Sequence, residues 1–150
     1  SPNHYTSNGR LNGYKKAITN AGLPITDDYI QCGDYCIDGG YEAMMRLCKL
    51  QKRPTAIFIS NYDMTIGAYL AINYLRLKIP DDISVIGFDN FPLANVVNPP
   101  LSFAEQPTNV MGTEAGKLLY RRICGDYSDY PKTIMHKPTM HYKESIRQLT

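Results

Sequence analysis

The chain carries none of the short signatures that mark common enzyme chemistry. It has no Gly-x-Ser-x-Gly, His-Glu-x-x-His, Gly-x4-Gly-Lys-Ser/Thr or Gly-x-Gly-x-x-Gly stretch, and no cysteine and histidine set at metal-ligand spacing. A nucleophile elbow, a zinc-protease helix, a phosphate loop and a dinucleotide fingerprint are therefore excluded; no cofactor and no catalytic residue are expected. Long apolar runs are also lacking. None approaches the roughly 18 residues of a spanning helix, and the opening residues are not signal-like, so a membrane is not an expected partner. Charge of one sign is scarce as well: 16 basic and 14 acidic residues are interspersed, without the basic stripe that would announce nucleic-acid contact by this chain itself. Cys32, Cys36, Cys48 and Cys124 form no Cys-x-x-Cys pair. On presumed strands and helices they read as free, mostly buried thiols in a reducing, cytoplasmic compartment. His4, His136 and His141 are scattered, and Asp81-Asp82 reads as a solvated turn before a strand.

What is present is an α/β rhythm. At 150 residues the chain is one domain's worth. Residues 55–59 and 83–88 are short apolar runs rich in β-branched and aromatic side chains, and residues 64–76 between them place Ile66, Tyr69 and Leu70 at helical spacing. This is a βαβ unit, whose crossover makes its strands parallel and brings their C-terminal ends to one edge. Upstream, residues 10–21 form an amphipathic helix with Gly22 as its C′ residue. Residues 28–32 are a strand candidate, and residues 41–50 a helix with Asp38 as its cap. Pro92, Pro99 and Pro100 deny residues 91–100 a regular element beyond a distorted helical turn. Residues 101–104 are extended, 108–123 form a second amphipathic helix, and 130–136 and 139–142 are short extended pieces. The order predicts a doubly wound parallel sheet.

The C-terminal edge of such a sheet is where ligands bind. Asp89 directly follows one strand and can accept from two neighbouring hydroxyls; Asn61 follows another and can donate and accept. Arg10 offers a planar fork of donors, and Tyr35 an aromatic face for the apolar face of a sugar ring. Thr6 and Tyr62 are secondary candidates on the same rim. Together they suit a small polyhydroxylated ligand; the alternative reading is that Asn61 and Asp89 only cap adjacent turns and Arg10 only pairs with an acid.

These residues fall within stretches that resemble one family. Gly9 to Tyr14 (GRLNGY), Gly33 to Tyr35 (GDY), Gly39 to Ala43 (GGYEA), Arg53 to Phe58 (RPTAIF), Asn61 to Ala68, Ile79 to Asp89 (IPDDISVIGFD), and Asn98 to Leu101 followed by Gln106-Pro107 and Met111-Gly112 resemble, in order and spacing, the lactose-repressor/galactose-repressor (LacI/GalR) family of bacterial transcription regulators. The resemblance implies a periplasmic-binding-protein-like fold of type I. It places the chain, over residues 1–150, mainly in the C-terminal subdomain of the effector-binding core. It assigns ligand contacts to Arg10, Asn61 and Asp89 and an aromatic lid to Tyr35. One departure stands out: the usual Asn-Asp pair is split here by Tyr62, which pushes Asp63 one place on. The implied partners are a sugar-like effector, a second copy in a homodimer, and operator DNA bound only through a helix-turn-helix domain outside this chain. The 108–123 helix is expected to pack on a further subdomain, and a strand is expected to precede Ser1. A periplasmic sugar-binding protein of a transport system shares this fold and is the alternative.

Overall fold

The computed structural model describes residues 5–89 and 93–148; His4, Asn90, Phe91 and Pro92 lie outside them. In chain order the elements are helix α1 (Tyr5–Asn20), a 3-10 turn (Asp27–Tyr29), helix α2 (Ile37–Cys48), strand β1 (Ala56–Phe58), helix α3 (Tyr62–Tyr74), strand β2 (Ser84–Phe88), a single helical turn α4 (Leu93–Val96), strand β3 (Ser102–Glu105), helix α5 (Thr108–Ile123) and strand β4 (Thr139–His141). The strands form one sheet in the order β1-β2-β3-β4. β1, β2 and β3 are parallel, with Ala56 opposite Ser84 and Ile86 opposite Ser102.

Two expectations about the sheet need correction. β4 is antiparallel to β3, with Glu105 opposite Thr139: the irregular stretch 124–138 returns the chain to the end of the sheet where β3 finished, so the next strand enters from that end. Residues 28–32 are not a strand. A strand exists by virtue of its ladder, and among the described residues this segment has no neighbour to pair with. Its first half winds into the 3-10 turn instead, with the Ile30 amide donating to the Asp27 carbonyl.

Helix ends follow local chemistry. α1 stops at a left-handed Gly22 (φ +69°), whose amide donates to Thr19 while Leu23 donates to Ile18; this is the Schellman pattern expected of Gly22. α3 ends the same way with Arg76 at φ +56°, Arg76 donating to Asn73 and Leu77 to Ile72. The cap of α2 is Cys36, whose Sγ accepts from the Gly39 amide at 3.3 Å, rather than Asp38, which lies inside the first turn. The other thiols also depart from expectation: Cys32, Cys36 and Cys124 are exposed and Cys48 half-buried, all four free. The turn at 78–82 is as read, with Asp82 Oδ2 accepting from the Lys78 amide at 2.7 Å.

The core lies between α2, α3 and the sheet. Met44, Ile72, Ile83, Val85, Leu101 and Phe103 are its buried centre. At about 1.5–3 kcal/mol for each fully buried large apolar side chain, this cluster is the main favourable term. α2 and α3 touch backbone to backbone. A Cβ on Gly40 would lie 2.4 Å from the Met64 carbonyl oxygen, and one on Gly67 1.9 Å from that of Ile37. α5 is different: none of its residues is buried, and Leu119, Tyr120 and Ile123 are 63%, 69% and 74% exposed. Its C-terminus is fastened by Arg121 and Arg122 to Asp126 and Asp129. Hydrogen bonds from the Ser128 side chain and backbone, with Arg121 beside them, hold the Asp126 carboxyl down to about 2.

Tyr69 is 9% exposed, and its hydroxyl has no hydrogen-bond partner among the described residues. Burial pushes this phenol up to about 12. The unfolded phenol ionises near pH 10, so its contribution to stability is intact below that pH and is lost as pH rises towards the folded value. Tyr69→Phe is expected to raise stability at neutral pH by about 1 kcal/mol, by removing an unsatisfied buried group, and to flatten the alkaline decline. Urea titrations of both proteins at pH 8 and 11 check this; a less stable variant at pH 8 would contradict it.

Candidate functional site

The parallel strands and their following loops bring the predicted rim together at the C-terminal end of the sheet. Asn61 follows β1 in extended backbone and caps α3, its Oδ1 accepting from the Met64 amide at 3.3 Å while its carbonyl accepts from the Thr65 hydroxyl at 2.7 Å. The capping role weighed for it is therefore real. Its Nδ2 donates to no group among the described residues and is the atom that can serve a ligand. Asp89 follows β2 with φ +84°, anchored by its amide to the Ala104 carbonyl at 2.7 Å. A left-handed aspartate is uncommon and costs about 1–3 kcal/mol unless its surroundings fix it. Here β3 does so, and Gln106 Nε2 donates to Asp89 Oδ1 at 2.6 Å. Half of the carboxylate is thus engaged by the protein, and Oδ2 is the oxygen left to accept from a hydroxyl.

Arg10 links the two strand ends. Its Nη1 donates to the Ser60 carbonyl next to Asn61, and its guanidinium lies 3.8 Å from the centre of the Phe88 ring, next to Asp89. The interaction weighed for it was with an acid; the structure puts it on an aromatic face and a carbonyl. A planar, stacked guanidinium is suited to this in a way an ammonium is not. Thr6, in the first turn of α1, places its hydroxyl 3.4 Å from that of Tyr35. That contact, ahead of smaller effects from Ser7 and Arg10, lowers the Tyr35 phenol from its usual range. Asp34 and Tyr35 are consecutive left-handed residues (φ +48° and +60°), so the turn after residues 30–32 doubles back towards α1. Tyr62 is the first residue of α3 rather than a loop residue, and is 38% exposed.

Thr6 and Tyr35 meet directly, and Arg10 joins the ends of β1 and β2. Asn61 and Asp89 sit on either side of that link, each bonded to its own neighbours. Ser60, Phe88 and Gln106 were not among the ligand-binding residues named from the sequence. Gln106 could have been: it follows β3 as Asp89 follows β2, on the same edge. The rim offers donors (Arg10, Asn61), an acceptor (Asp89) and an amphipathic ring (Tyr35) on an open face, a set that can bind a small polar molecule but holds no nucleophile or proton-transfer pair. No group of residues that could hold a metal ion occurs among the described residues.

Residues 1–146 match the model of the periplasmic binding protein-like domain. The chain belongs to that family. Within it, the similarity is to the LacI/GalR branch. The HTH-type transcriptional repressor PurR of Actinobacillus pleuropneumoniae is 35% identical over 144 residues, covering 95% of this chain and 43% of the relative. The ribose operon repressor of Escherichia coli is 41% identical over 114 residues, or 76% of this chain and 34% of the relative. Among solved structures, a sugar-binding transcriptional regulator of the LacI family from Escherichia coli, complexed with phosphate, superposes with a TM-score of 0.83 at 30% identity. That match covers 97% of this periplasmic binding protein-like chain and 52% of the other. The chain thus spans between about a third and two fifths of the length of the curated relatives it matches. Those relatives are repressors rather than enzymes, in keeping with the lack of a catalytic signature. Among the described residues no helix is long and apolar enough to cross a membrane.

Proposed function

We propose that this chain is the effector-sensing and dimerisation portion of a bacterial LacI/GalR-type regulator. It binds a small polar ligand, a sugar or sugar derivative, at the rim formed by Arg10, Tyr35, Asn61 and Asp89, with Thr6 and Tyr62 beside them. The observation that carries this is the placement of Arg10 across the ends of β1 and β2, on Ser60 and Phe88, the residues next to Asn61 and Asp89. Similarity to a ribose operon repressor and to a sugar-binding regulator supports the ligand class. In this reading the rim is one wall of the pocket, and the uncovered face of α5 meets a second subdomain that supplies the other. Ligand-driven closure of the two then biases a homodimer between states of different operator affinity, through a helix-turn-helix domain outside this chain. Such a protein works in the cytoplasm. A periplasmic sugar-binding protein has the same fold, but the relatives found are repressors.

The test is calorimetry on the full-length regulator with a panel of sugars, sugar phosphates and purines, repeated with Asp89→Asn. Asparagine tolerates the left-handed backbone, removes the charge and turns one accepting oxygen into an NH2 donor. Affinity for the bound compound is expected to fall about 10-fold or more, the worth of one charge-assisted hydrogen bond at about 1.5–3 kcal/mol. Unchanged affinity would remove Asp89 from the site.

A further inference from the structure

Gln106 stands where the rim meets α5, and it is engaged at both ends. Its side chain donates from Nε2 to Asp89 Oδ1 at 2.6 Å. Its backbone carbonyl accepts from the Thr108 amide, the first of α5, at 2.8 Å. The next residue, Pro107, occupies the N-cap position and makes no side-chain cap bond; its carbonyl accepts from the Met111 amide at 3.0 Å. α5 therefore starts without the serine, threonine, asparagine or aspartate that usually fixes a helix entry, and none of its residues is buried. Its other ion pairs, Glu114 to His136 and Arg121 and Arg122 to Asp126 and Asp129, lead to the segment after it rather than to the sheet. That segment rejoins the sheet at β4, where His141 Nε2 lies 2.6 Å from Glu105 Oε2. The entry of α5 is thus set by residues 105–107, and the bond that fixes them to the rim is Gln106 to Asp89.

Asp89 can pass on what happens at its other oxygen. The terminal torsion of an aspartate is broad and two-fold, so a carboxylate held through Oδ1 alone swings about that bond. A ligand hydroxyl donating to Oδ2 fixes the plane of the group, and with it the position of the Oδ1 that Gln106 meets. Occupancy then stiffens the Gln106 side chain and the root of α5 with no contact between ligand and helix. Linkage makes the effect reciprocal: loosening Gln106 weakens the ligand.

We propose that Gln106 is the coupling residue of the rim, which reports ligand occupancy to α5 through its bond to Asp89. It is a positioning residue, acting through the carboxylate rather than on the ligand. This role rests on the rim being the ligand site, and the test separates the two.

Hydrogen exchange of the amides of residues 111–115, in the first turns of α5, reads the coupling in the 150-residue chain. Without ligand, Gln106→Leu is expected to speed this exchange about 10-fold, the worth of one hydrogen bond to a charged group, with the urea midpoint of the sheet nearly unchanged. Gln106→Glu sets two carboxylates against each other and is expected to speed it at least as much. Adding Asp89→Asn to that variant restores the bond with its polarity reversed, and is expected to return the rate to within about 2-fold of wild type. A merely structural role for Gln106 predicts no such rescue, and the pair replaces Gln106→Leu should that variant fail to fold. The full-length regulator is then given D-ribose, followed by the other sugars, sugar phosphates and purines. The compound that binds is expected to slow the same amides at least about 5-fold, and Gln106→Leu to abolish that slowing and weaken the compound. Wild-type exchange in folded Gln106→Leu, or no rescue by the reversed pair, overturns the proposal. So does a compound that binds and leaves residues 111–115 unchanged, an outcome under which the rim reading stands. Failure of every compound to bind removes the rim reading itself, and the coupling with it.

Discussion

Gly67→Leu is expected to abolish cooperative folding. The β-carbon of any residue at this position would lie 1.9 Å from the Ile37 carbonyl oxygen and 2.6 Å from the Tyr41 amide nitrogen. Both atoms are backbone of the same turn of α2, so neither can swing aside as a side chain would. The helices must separate instead, and Gly40 against Met64 shows that the contact is close from both directions. Separation uncovers Met44, Ala68 and Ile72, all at most 3% exposed. Even Gly67→Ala sets a helix-propensity gain of about 1 kcal/mol against an overpacking cost of about 1–3 kcal/mol or more. A leucine adds three carbons to the clash, and the loss approaches the whole stability of a small domain, about 5–15 kcal/mol. Near-UV dichroism and urea titration measure it. Gly116→Ala on α5, where an added β-carbon meets nothing within 4 Å, is the control and should stabilise its helix slightly. A Gly67→Leu protein with a normal urea midpoint would refute the account.

The second large effect concerns a serine in a region with no sequence signal. Ser145 is fully buried, and its hydroxyl accepts from the Ser102 amide at 2.7 Å and donates to the Val85 carbonyl at 2.6 Å. Its own amide donates to Pro100 at 3.1 Å, and its carbonyl accepts from Val85 at 2.8 Å. One residue thus clips β2 to the start of β3. Ser145→Ala keeps the backbone bonds but strands a buried amide and a carbonyl. At about 1–3 kcal/mol for each buried group left unpaired, a loss of about 3 kcal/mol is expected. Urea denaturation of the two proteins gives the difference directly. A loss under about 0.5 kcal/mol, the scale of an ordinary surface substitution, would mean that water takes over the hydroxyl's bonds.

What the sequence made legible was local. The 55–88 unit could be read because two apolar runs too short for a buried helix flank a stretch with helical spacing, and because the strands it predicts have each other to pair with. Residues 28–32, a short mixed run read as a strand, have no described strand to pair with, and local composition alone cannot supply a ladder. The rim could be read because a parallel sheet sends every following loop to one edge, so Asn61 and Asp89 were placed by topology before any coordinate. The bond from Gln106 to Asp89 needed the register of β3. Gly40 and Gly67 looked like punctuation in a helical pattern; their use, two backbones in contact, is visible only once α2 and α3 are side by side. Asp38 against Cys36 was decided by where α2 starts, a matter of two residues.

The uncovered α5 divides the molecule thermodynamically. Most helical stability in proteins comes from tertiary packing, and α5 has no buried residue; it is held by the charged staple at its end and by Glu114, paired with His136 at 3.0 Å. Its helix–coil balance is therefore set largely apart from the melting of the sheet. Far-ultraviolet ellipticity sums two transitions with different midpoints and widths, whereas the tyrosine and phenylalanine bands of the packed core follow one. A single unfolding free energy describes the sheet and its two glycine-packed helices, and α5 has its own, smaller one.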